Sequence, residues 1–198
     1  DDIVGGSGDD IIDGGAGDDT ITGGAGSDTA IFAGNQSDYT FASSADGLTI
    51  TITNTVTNDV DTVTGVETLS FDDGDIGVSS DSNGLVLTGD ATGDDITIVG
   101  SVPVTVLGAD GDDDIVGGSG DDIIDGNAGA DTITGGAGDD TIDGGSGNDT
   151  VVISDGDDVV TYGDGVDRVV IRADYQIKNT ESVSGGLKLN LTKISDNS

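Results

Sequence analysis

The sequence predicts an all-β fold made of many very short strands that stack on one another. From residue 117 to 152 a nine-residue pattern occurs four times, with glycine at the first and fourth places, aspartate at the sixth and isoleucine or valine at the eighth. Glycine favours turns, whereas threonine, isoleucine and valine favour extended chain, so each unit combines a turn with a short strand. One such strand is not stable alone. Neighbouring units must therefore bury their eighth-place side chains together, as repeat proteins do.

The acidic charge of the chain opposes the formation of such a fold. It contains 40 acidic and five basic residues, and no lysine or arginine precedes Arg168. With 3% aromatic and 33% apolar residues, burial of apolar surface is weak against chain entropy and charge repulsion, so we expect disorder unless cations bind. The same charge disfavours nucleic acid and anionic membranes as partners, because their phosphates would meet carboxylates.

The residue types that the chain lacks limit the catalytic groups and metal ligands it can provide. The chain has no cysteine, histidine, methionine or tryptophan. Without cysteine or histidine there is no usual nucleophile and base pair and no thiolate metal site, so we expect no enzyme activity and only oxygen-liganded metals. No apolar run approaches the ~20 residues of a membrane span. Because the chain begins in mid-repeat, we expect it to be a processed or excised piece of a larger protein.

The first block of repeats is expected over residues 1–31. Its units begin at Gly5, Gly14 and Gly23, and the small Ala30 at the last eighth place indicates that the block ends there. A different β pattern occupies residues 32–89: Leu48, Ile50 and Ile52 alternate with threonines, and a second candidate strand covers residues 63–71. We expect this segment to form a small separate sheet that covers the end of the first block.

The second block is expected over residues 90–171. Counting backwards in nines from Gly108 gives two earlier units. The first has Asp95 at its sixth place and Thr97 at its eighth place, whereas the second has Val104 where the sixth-place aspartate would stand. Forward counting keeps the same register to the end of the block. In residues 172–198, leucines alternate with polar residues after Gly185 and Gly186, which predicts a closing hairpin and a region compatible with an export signal.

The units match the pattern Gly-Gly-x-Gly-x-Asp-x-U-x, where U is a large apolar residue, so the chain resembles the RTX calcium-binding repeat family of bacterial proteins exported by type I secretion. This resemblance implies a right-handed parallel β-roll, a β-solenoid with Ca²⁺ between turns stacked on the same side. The implied carboxylate ligands are Asp10, Asp19, Asp28, Asp95, Asp113, Asp122, Asp131, Asp140, Asp149, Asp158 and Asp167. The implied carbonyl ligands belong to Gly5, Gly14, Gly108, Gly117, Gly126, Gly135 and Gly144.

The function expected from these features is that of a calcium-stabilised β-roll that folds outside the cell and serves as a structural, self-assembling or adhesive module. Two alternatives remain open: the secretion and folding module of a larger enzyme or toxin, and a polysaccharide-binding module. Since the eighth place points inward, we expect only one outer face to carry little charge. That face is the candidate contact for self-association and includes Thr132, Thr134, Thr150 and Val152.

Overall fold

The computed structural model describes residues 1–171, 175–183 and 186–193, with side chains described up to residue 171. Across this part of the chain the only helical element is a single 3-10 turn at Gln36–Asp38, and all other regular structure is strand. No helix there is long and apolar enough to cross a membrane. The prediction of an all-β fold is therefore confirmed.

The first coils show how the chain stacks. Their strands are β1 (Asp2–Ser7), β2 (Ile11–Asp13), β3 (Thr20–Ala25) and β4 (Thr29–Ile31). β1 pairs in parallel with β3, and β2 with β4, so residues 18 positions apart lie side by side, as Ile3 and Ile21 do. Successive strands thus alternate between two sheets, and two units complete one coil. This is a parallel β-solenoid.

The second block repeats this arrangement with greater regularity. Ile115, Ile133 and Val151 lie in register in one sheet, and Ile124 lies beside Ile142 in the other. The eighth-place side chains of both sheets meet inside the coil, where these five are at most 1% exposed. The strands are β11 (Asp95–Thr97), β12 (Val104–Leu107), β13 (Asp114–Val116), β14 (Ile123–Asp125), β15 (Thr132–Thr134), β16 (Thr141–Asp143), β17 (Thr150–Ile153), β18 (Val159–Thr161) and β19 (Arg168–Ile171).

The segment between the blocks does not form the separate sheet that we expected. Its strands β5, β6 and β7 extend the sheet of β1 and β3, while β8, β9 and β10 connect β4 to β12 within one 11-stranded sheet. Phe32, Tyr39 and Phe71 pack together beneath it, with ring centroids 5.1–5.7 Å apart. The strands are β5 (Tyr39–Ser43), β6 (Thr49–Asn54), β7 (Val60–Thr64), β8 (Thr68–Ser70), β9 (Asp75–Ser80) and β10 (Leu85–Thr88).

Two further expectations for this region are wrong for the same reason. The coil does not end at Ala30, because that buried residue lies beside Leu69 of β8, and Ile21 lies beside Val63 of β7. Residues 63–71 are not one strand, since a turn at 65–67 carries the chain from one sheet to the other. Residues 60–70 therefore make one more coil, although they lack the repeat pattern.

The start of the second block also departs from our count. Ile96, and not Thr97, lies beside Ile115 and is fully buried. The eighth places of the first two units, Ile96 and Val106, are thus ten residues apart instead of nine, because the turn that contains Pro103 has one extra residue. The residue at the sixth place is consequently Asp94, and the assignment of Asp95 is corrected.

The expected hairpin lies at the end of the described chain. β20 (Tyr175–Val183) and β21 (Gly186–Lys193) pair antiparallel, and β21 adds antiparallel to β18 at the edge of the 11-stranded sheet. This pairing covers an edge that would otherwise be open. The region compatible with an export signal includes residues 194–198, which lie outside the described residues.

Candidate metal centre

Most of the sixth-place aspartates are buried, which is unusual for an acidic side chain. Asp28, Asp113, Asp122, Asp131 and Asp140 are at most 2% exposed. Each lies at the end of a glycine-rich turn and two residues before a core side chain, so its carboxylate is buried beneath the turn. Asp149 and Asp158 are buried in the same way, and Asp19 is 5% exposed. A buried carboxylate is unfavourable unless a partner compensates it.

One oxygen of each carboxylate links neighbouring coils. Oδ1 of Asp131 accepts the backbone N–H of Asp113 at 2.9 Å, and Oδ1 of Asp140 accepts that of Asp122 at 2.9 Å. The same bond joins aspartates 18 residues apart throughout the repeats, namely Asp10 to Asp28, Asp131 to Asp149, Asp140 to Asp158 and Asp149 to Asp167. Aspartates 18 residues apart are thus stacked on one another along the roll.

The other oxygen is left without a hydrogen-bond partner inside the protein. Oδ2 is buried and unpartnered in Asp10, Asp19, Asp28, Asp113, Asp122, Asp131, Asp140 and Asp149. An unpaired buried acceptor costs roughly 1–3 kcal/mol, and a charged one costs more. Eight such atoms in regular rows would be hard to tolerate in a stable protein, so they indicate a partner that is not part of the chain.

The surroundings of Oδ2 are rich in further oxygens. A Cβ atom placed on Gly126 would lie 2.6 Å from the carbonyl oxygen of Gly144 and against Oδ2 of Asp131. At Gly5, the same position would be 2.7 Å from the carbonyl oxygen of Gly23 and 2.8 Å from Oδ2 of Asp10. A side chain at the first place would fill this space, which glycine leaves to oxygens from two coils.

These oxygens include several of the expected carbonyl ligands. The carbonyls of Gly108, Gly126, Gly135 and Gly144 each approach the first place of the coil below, beside an aspartate Oδ2. Gly5, Gly14 and Gly117 have no first-place glycine below them in the described chain, so the structure does not bring their carbonyls into this arrangement.

The donor set fits calcium. Ca²⁺ takes about six to eight oxygen ligands in flexible geometry, including backbone carbonyls, whereas Mg²⁺ requires a tight octahedron. No group of three acidic side chains that could hold a metal occurs among the described residues. Any ion here would consequently depend on turn carbonyls in addition to carboxylates from stacked coils.

Burial raises the pKa of several of these carboxylates. Burial raises the pKa of Asp140 to about 7, with a smaller contribution from the charges of Asp158 and Asp122. Burial likewise raises the pKa of Asp94, Asp122 and Asp131 to about 6. The ionised carboxylates are therefore unfavourable at neutral pH until a cation or a proton neutralises them.

The acidic residues at the fifth place have a different role. Asp121 and Asp139 lie at the exposed surface, and Oδ1 of each accepts the backbone N–H of the fifth-place residue one coil later, at 2.9 and 2.8 Å. Asp112 accepts the N–H of Ala130 in the same way at 2.8 Å. These hydrogen bonds link the exposed sides of turns in neighbouring coils.

Four residues that matter here were missed from the sequence. Asp94 is fully enclosed where Asp95 was expected, and Gln36 donates from Nε2 to Asp94 Oδ1 at 2.7 Å. Asp61 and Glu67 accept the backbone N–H groups of Asp19 and Asp28 at 2.9 and 2.8 Å. The only sequence signal for the last two was an acid two residues before an apolar residue in the stretch Asp-Thr-Val and Glu-Thr-Leu.

Val104 interrupts one row of aspartates. It occupies a sixth place, and its backbone N–H donates to Asp122 Oδ1 at 2.9 Å. The stacking bond below Asp122 thus remains, but the carboxylate that another aspartate would supply is replaced by a buried valine side chain.

Comparison with known proteins agrees with this geometry. The RTX calcium-binding nonapeptide repeat matches four stretches of the chain, residues 1–30, 107–142, 116–151 and 137–169. The chain belongs to the RTX calcium-binding repeat family. The matched stretches of this RTX chain contain most of the buried aspartates, whereas residues 31–106, with Asp61, Glu67 and Asp94, lie between them.

Other comparisons add little to the RTX assignment. The crystal structure of the extracellular lipase LipA from Serratia marcescens is similar over 92% of this chain, at 21% identity and a TM-score of 0.30. The likeness covers 36% of the lipase chain, and it is too low to carry an argument about function. No similar sequence is found among curated proteins.

Proposed function

We propose that this chain is a calcium-dependent β-roll module of a secreted protein, which folds when calcium binds between its coils. The observation that carries this proposal is the row of buried Oδ2 atoms without a partner, in a segment of 167 residues that has no lysine or arginine. Family membership supports it, because RTX repeats are described as calcium-binding. The β-roll itself is a structural repeat fold and not a catalytic one.

The residues proposed to hold calcium act in pairs 18 apart. Oδ2 of the lower aspartate and the carbonyl of the first-place glycine above it would face one ion, as at Asp113 with Gly126 and Asp131 with Gly144. Calcium would supply the positive charge that the buried carboxylates lack. The remaining proposed ligands are Asp10, Asp19, Asp28, Asp122, Asp140, Asp149, Asp158 and Asp167, with Asp94 in place of Asp95.

The calcium affinity of such sites links folding of the module to the place where it works. Oxygen-ligand calcium sites in extracellular modules bind at ~10⁻⁴ to 10⁻³ M, a concentration found outside cells. At lower calcium, repulsion among the carboxylates would keep the chain unfolded, which suits a protein that is exported before it folds. We infer that the module works in the extracellular medium or at the cell surface.

The role of the folded module is proposed to be structural or adhesive. In the sheet of β13, β15 and β17, Val116, Thr134 and Val152 form an uncharged row that continues to Val170, beside Thr132 and Thr150. The opposite sheet also has an uncharged row, Ile123, Thr141 and Val159, so low charge is not confined to one face as we expected. Uncharged rows on so acidic a protein offer places where a neighbour can pack without like-charge repulsion.

Circular dichroism with and without calcium tests the proposed function. The chain in chelator should show mostly disorder, and its β signal should appear when calcium is raised to ~10⁻³ M, because binding to the folded state alone shifts the equilibrium. Magnesium at the same concentration is the control and should have a much smaller effect. A β spectrum that chelator leaves unchanged would refute calcium-dependent folding.

A further inference from the structure

Residues 60–70 form a coil of the roll without carrying the nonapeptide pattern. Thr62 N–H donates to the carbonyl of Asp19 at 2.8 Å, and Thr68 N–H donates to that of Asp28 at 3.1 Å. In the repeats the residue after each sixth place makes this same bond, as Thr132 N–H does to Asp113 at 2.7 Å. Asp61 and Glu67 therefore stand at sixth places, directly above Asp19 and Asp28.

Glu67 reproduces the contact that a sixth-place aspartate makes. Its Oε2 accepts the N–H of Asp28 at 2.8 Å, as Asp131 Oδ1 accepts that of Asp113 at 2.9 Å. The turn that leads to Glu67 is shorter than a repeat turn. It has three residues, from Gly65 to Glu67, whereas the turn of the coil below it has six, from Gly23 to Asp28. The extra methylene of glutamate offsets part of this shortening by extending the carboxylate further from the backbone.

The space below Glu67 has the oxygens of a repeat site. Asp28 is fully buried, and its Oδ2 has no hydrogen-bond partner. A Cβ atom placed on Gly23 would lie against the carbonyl oxygen of Gly65 and 2.6 Å from Asp28 Oδ2. The first-place glycines of the repeats, such as Gly126 with Gly144 and Asp131, show the same pair of neighbours.

We propose that Glu67, the carbonyl of Gly65 and Asp28 Oδ2 form a further calcium site, which lies at the end of the first block and outside the family repeat. This inference rests on the proposed function, since it assigns calcium to one more gap between coils. The site would join the repeat coils to the segment that follows them. Because its upper turn has fewer carbonyls than a repeat turn, it should bind more weakly than the sites of the second block.

The test is the number of calcium ions bound per chain, measured by equilibrium dialysis on the full chain at millimolar calcium. Glu67→Gln should bind one ion fewer than the parent, while its β signal in calcium is retained. Glutamine keeps an oxygen that can accept the Asp28 N–H, so this substitution preserves the structural contact and removes the charge. Asp75→Asn, which neutralises an exposed carboxylate in the same segment, is the matched control and should bind the full number.

Asp131→Asn separates failure of this site from failure of the proposed function. If Asp131→Asn loses calcium and Glu67→Gln does not, the site at Glu67 is refuted and the repeat sites stand. If the parent chain binds no calcium, both proposals fall. If Glu67→Gln loses its β signal together with all its ions, Glu67 is a structural residue of the coil and the proposed site is wrong.

Discussion

Most sixth-place aspartates use their two carboxylate oxygens differently. Oδ1 of Asp131 accepts a backbone N–H from the neighbouring coil, whereas Oδ2 faces the carbonyl of Gly144 without a donor. Two acceptors that face each other repel, and a cation between them turns that repulsion into attraction. Under the proposed function, a single residue type therefore makes the coil both possible and dependent on calcium.

Asp131→Asn separates these two effects. Calcium binding at this position should weaken about tenfold or more, since even residues that only support metal ligands cost 10–100-fold when replaced. In chelator the variant should be more folded than the parent, because the asparagine Nδ2 can donate to the carbonyl of Gly144. Calorimetry and circular dichroism measure the two effects, with Asp112→Asn at the exposed fifth place as control. An Asn variant less folded than the parent in chelator would contradict this account.

The raised pKa values predict how the calcium-free chain responds to pH. Burial raises the pKa of Asp140 from 3.8 to about 7, so the folded state binds protons more readily than the unfolded state. The folded state therefore loses stability as pH rises from about 4 to about 7, and calcium-free protein should gain β structure when acidified from pH 8 to 5. Circular dichroism in chelator checks this expectation.

Two comparisons make the pH experiment specific. In Asp140→Asn the gain of β structure on acidification should be smaller than in the parent, because one of the titrating groups is gone. Calcium should bind more weakly at pH 5 than at pH 8, since protons compete for the same oxygens. A calcium-free spectrum that does not change between these pH values would contradict the assignment of buried, uncompensated carboxylates.

Among the elements, the junction before the second block shows a different way to satisfy a buried carboxylate. Gln36, which is 1% exposed, donates from Nε2 to Asp94 and accepts the N–H of Asp95 at 2.9 Å through Oε1. Asp94 Oδ2 also accepts the N–H of Asp90 at 2.9 Å. The side-chain amide thus takes the place of the peptide group that a preceding coil would present.

Gln36→Ala tests the importance of this amide. It leaves a buried carboxylate without one donor, so the calcium-bound protein should lose roughly 1–3 kcal/mol of unfolding free energy. Urea denaturation in calcium measures the loss, and Ser37→Ala, an exposed neighbour, should change little. If Gln36→Ala and Ser37→Ala unfold at the same urea concentration, the amide contributes nothing to the junction.

The elements also show where sequence reasoning succeeds. From Gly108 onward the nine-residue spacing placed each core residue and each buried aspartate correctly, because every turn has the same length. It failed near Pro103, where one extra residue shifts Asp94 into the position expected of Asp95. Residues 60–70 were missed because a coil needs only two inward apolar side chains at the right separation, and Val63 and Leu69 provide them without glycine-rich turns.

For the whole molecule, the net charge of −35 decides how copies can meet. Two molecules repel unless their uncharged surfaces face each other or calcium neutralises their turns. The outer face that carries Thr134 and Val152 is one such surface, and the row of Ile123, Thr141 and Val159 is another. These rows run along the axis of the roll, which favours side-by-side packing of two rolls.

Thr134→Lys combined with Thr150→Lys tests which face is used. If copies of the chain pack through the face of β15 and β17, light scattering in calcium should show association of the parent and its loss in the double variant. Thr141→Lys combined with Thr161→Lys places the same charge on the opposite sheet and should leave association unchanged. Absence of association in the parent, or equal behaviour of all three proteins, would exclude this face as the contact.

The most direct test of the account is anomalous diffraction from crystals grown in calcium. We predict ions in rows along both edges of the second block, each between sixth-place aspartates 18 residues apart, as between Asp113 and Asp131 and between Asp122 and Asp140. A well-occupied ion is not expected between Val104 and Asp122. Ions that lie on the exposed fifth-place carboxylates, or between aspartates nine residues apart, would contradict the proposal that buried Oδ2 atoms and turn carbonyls hold the calcium.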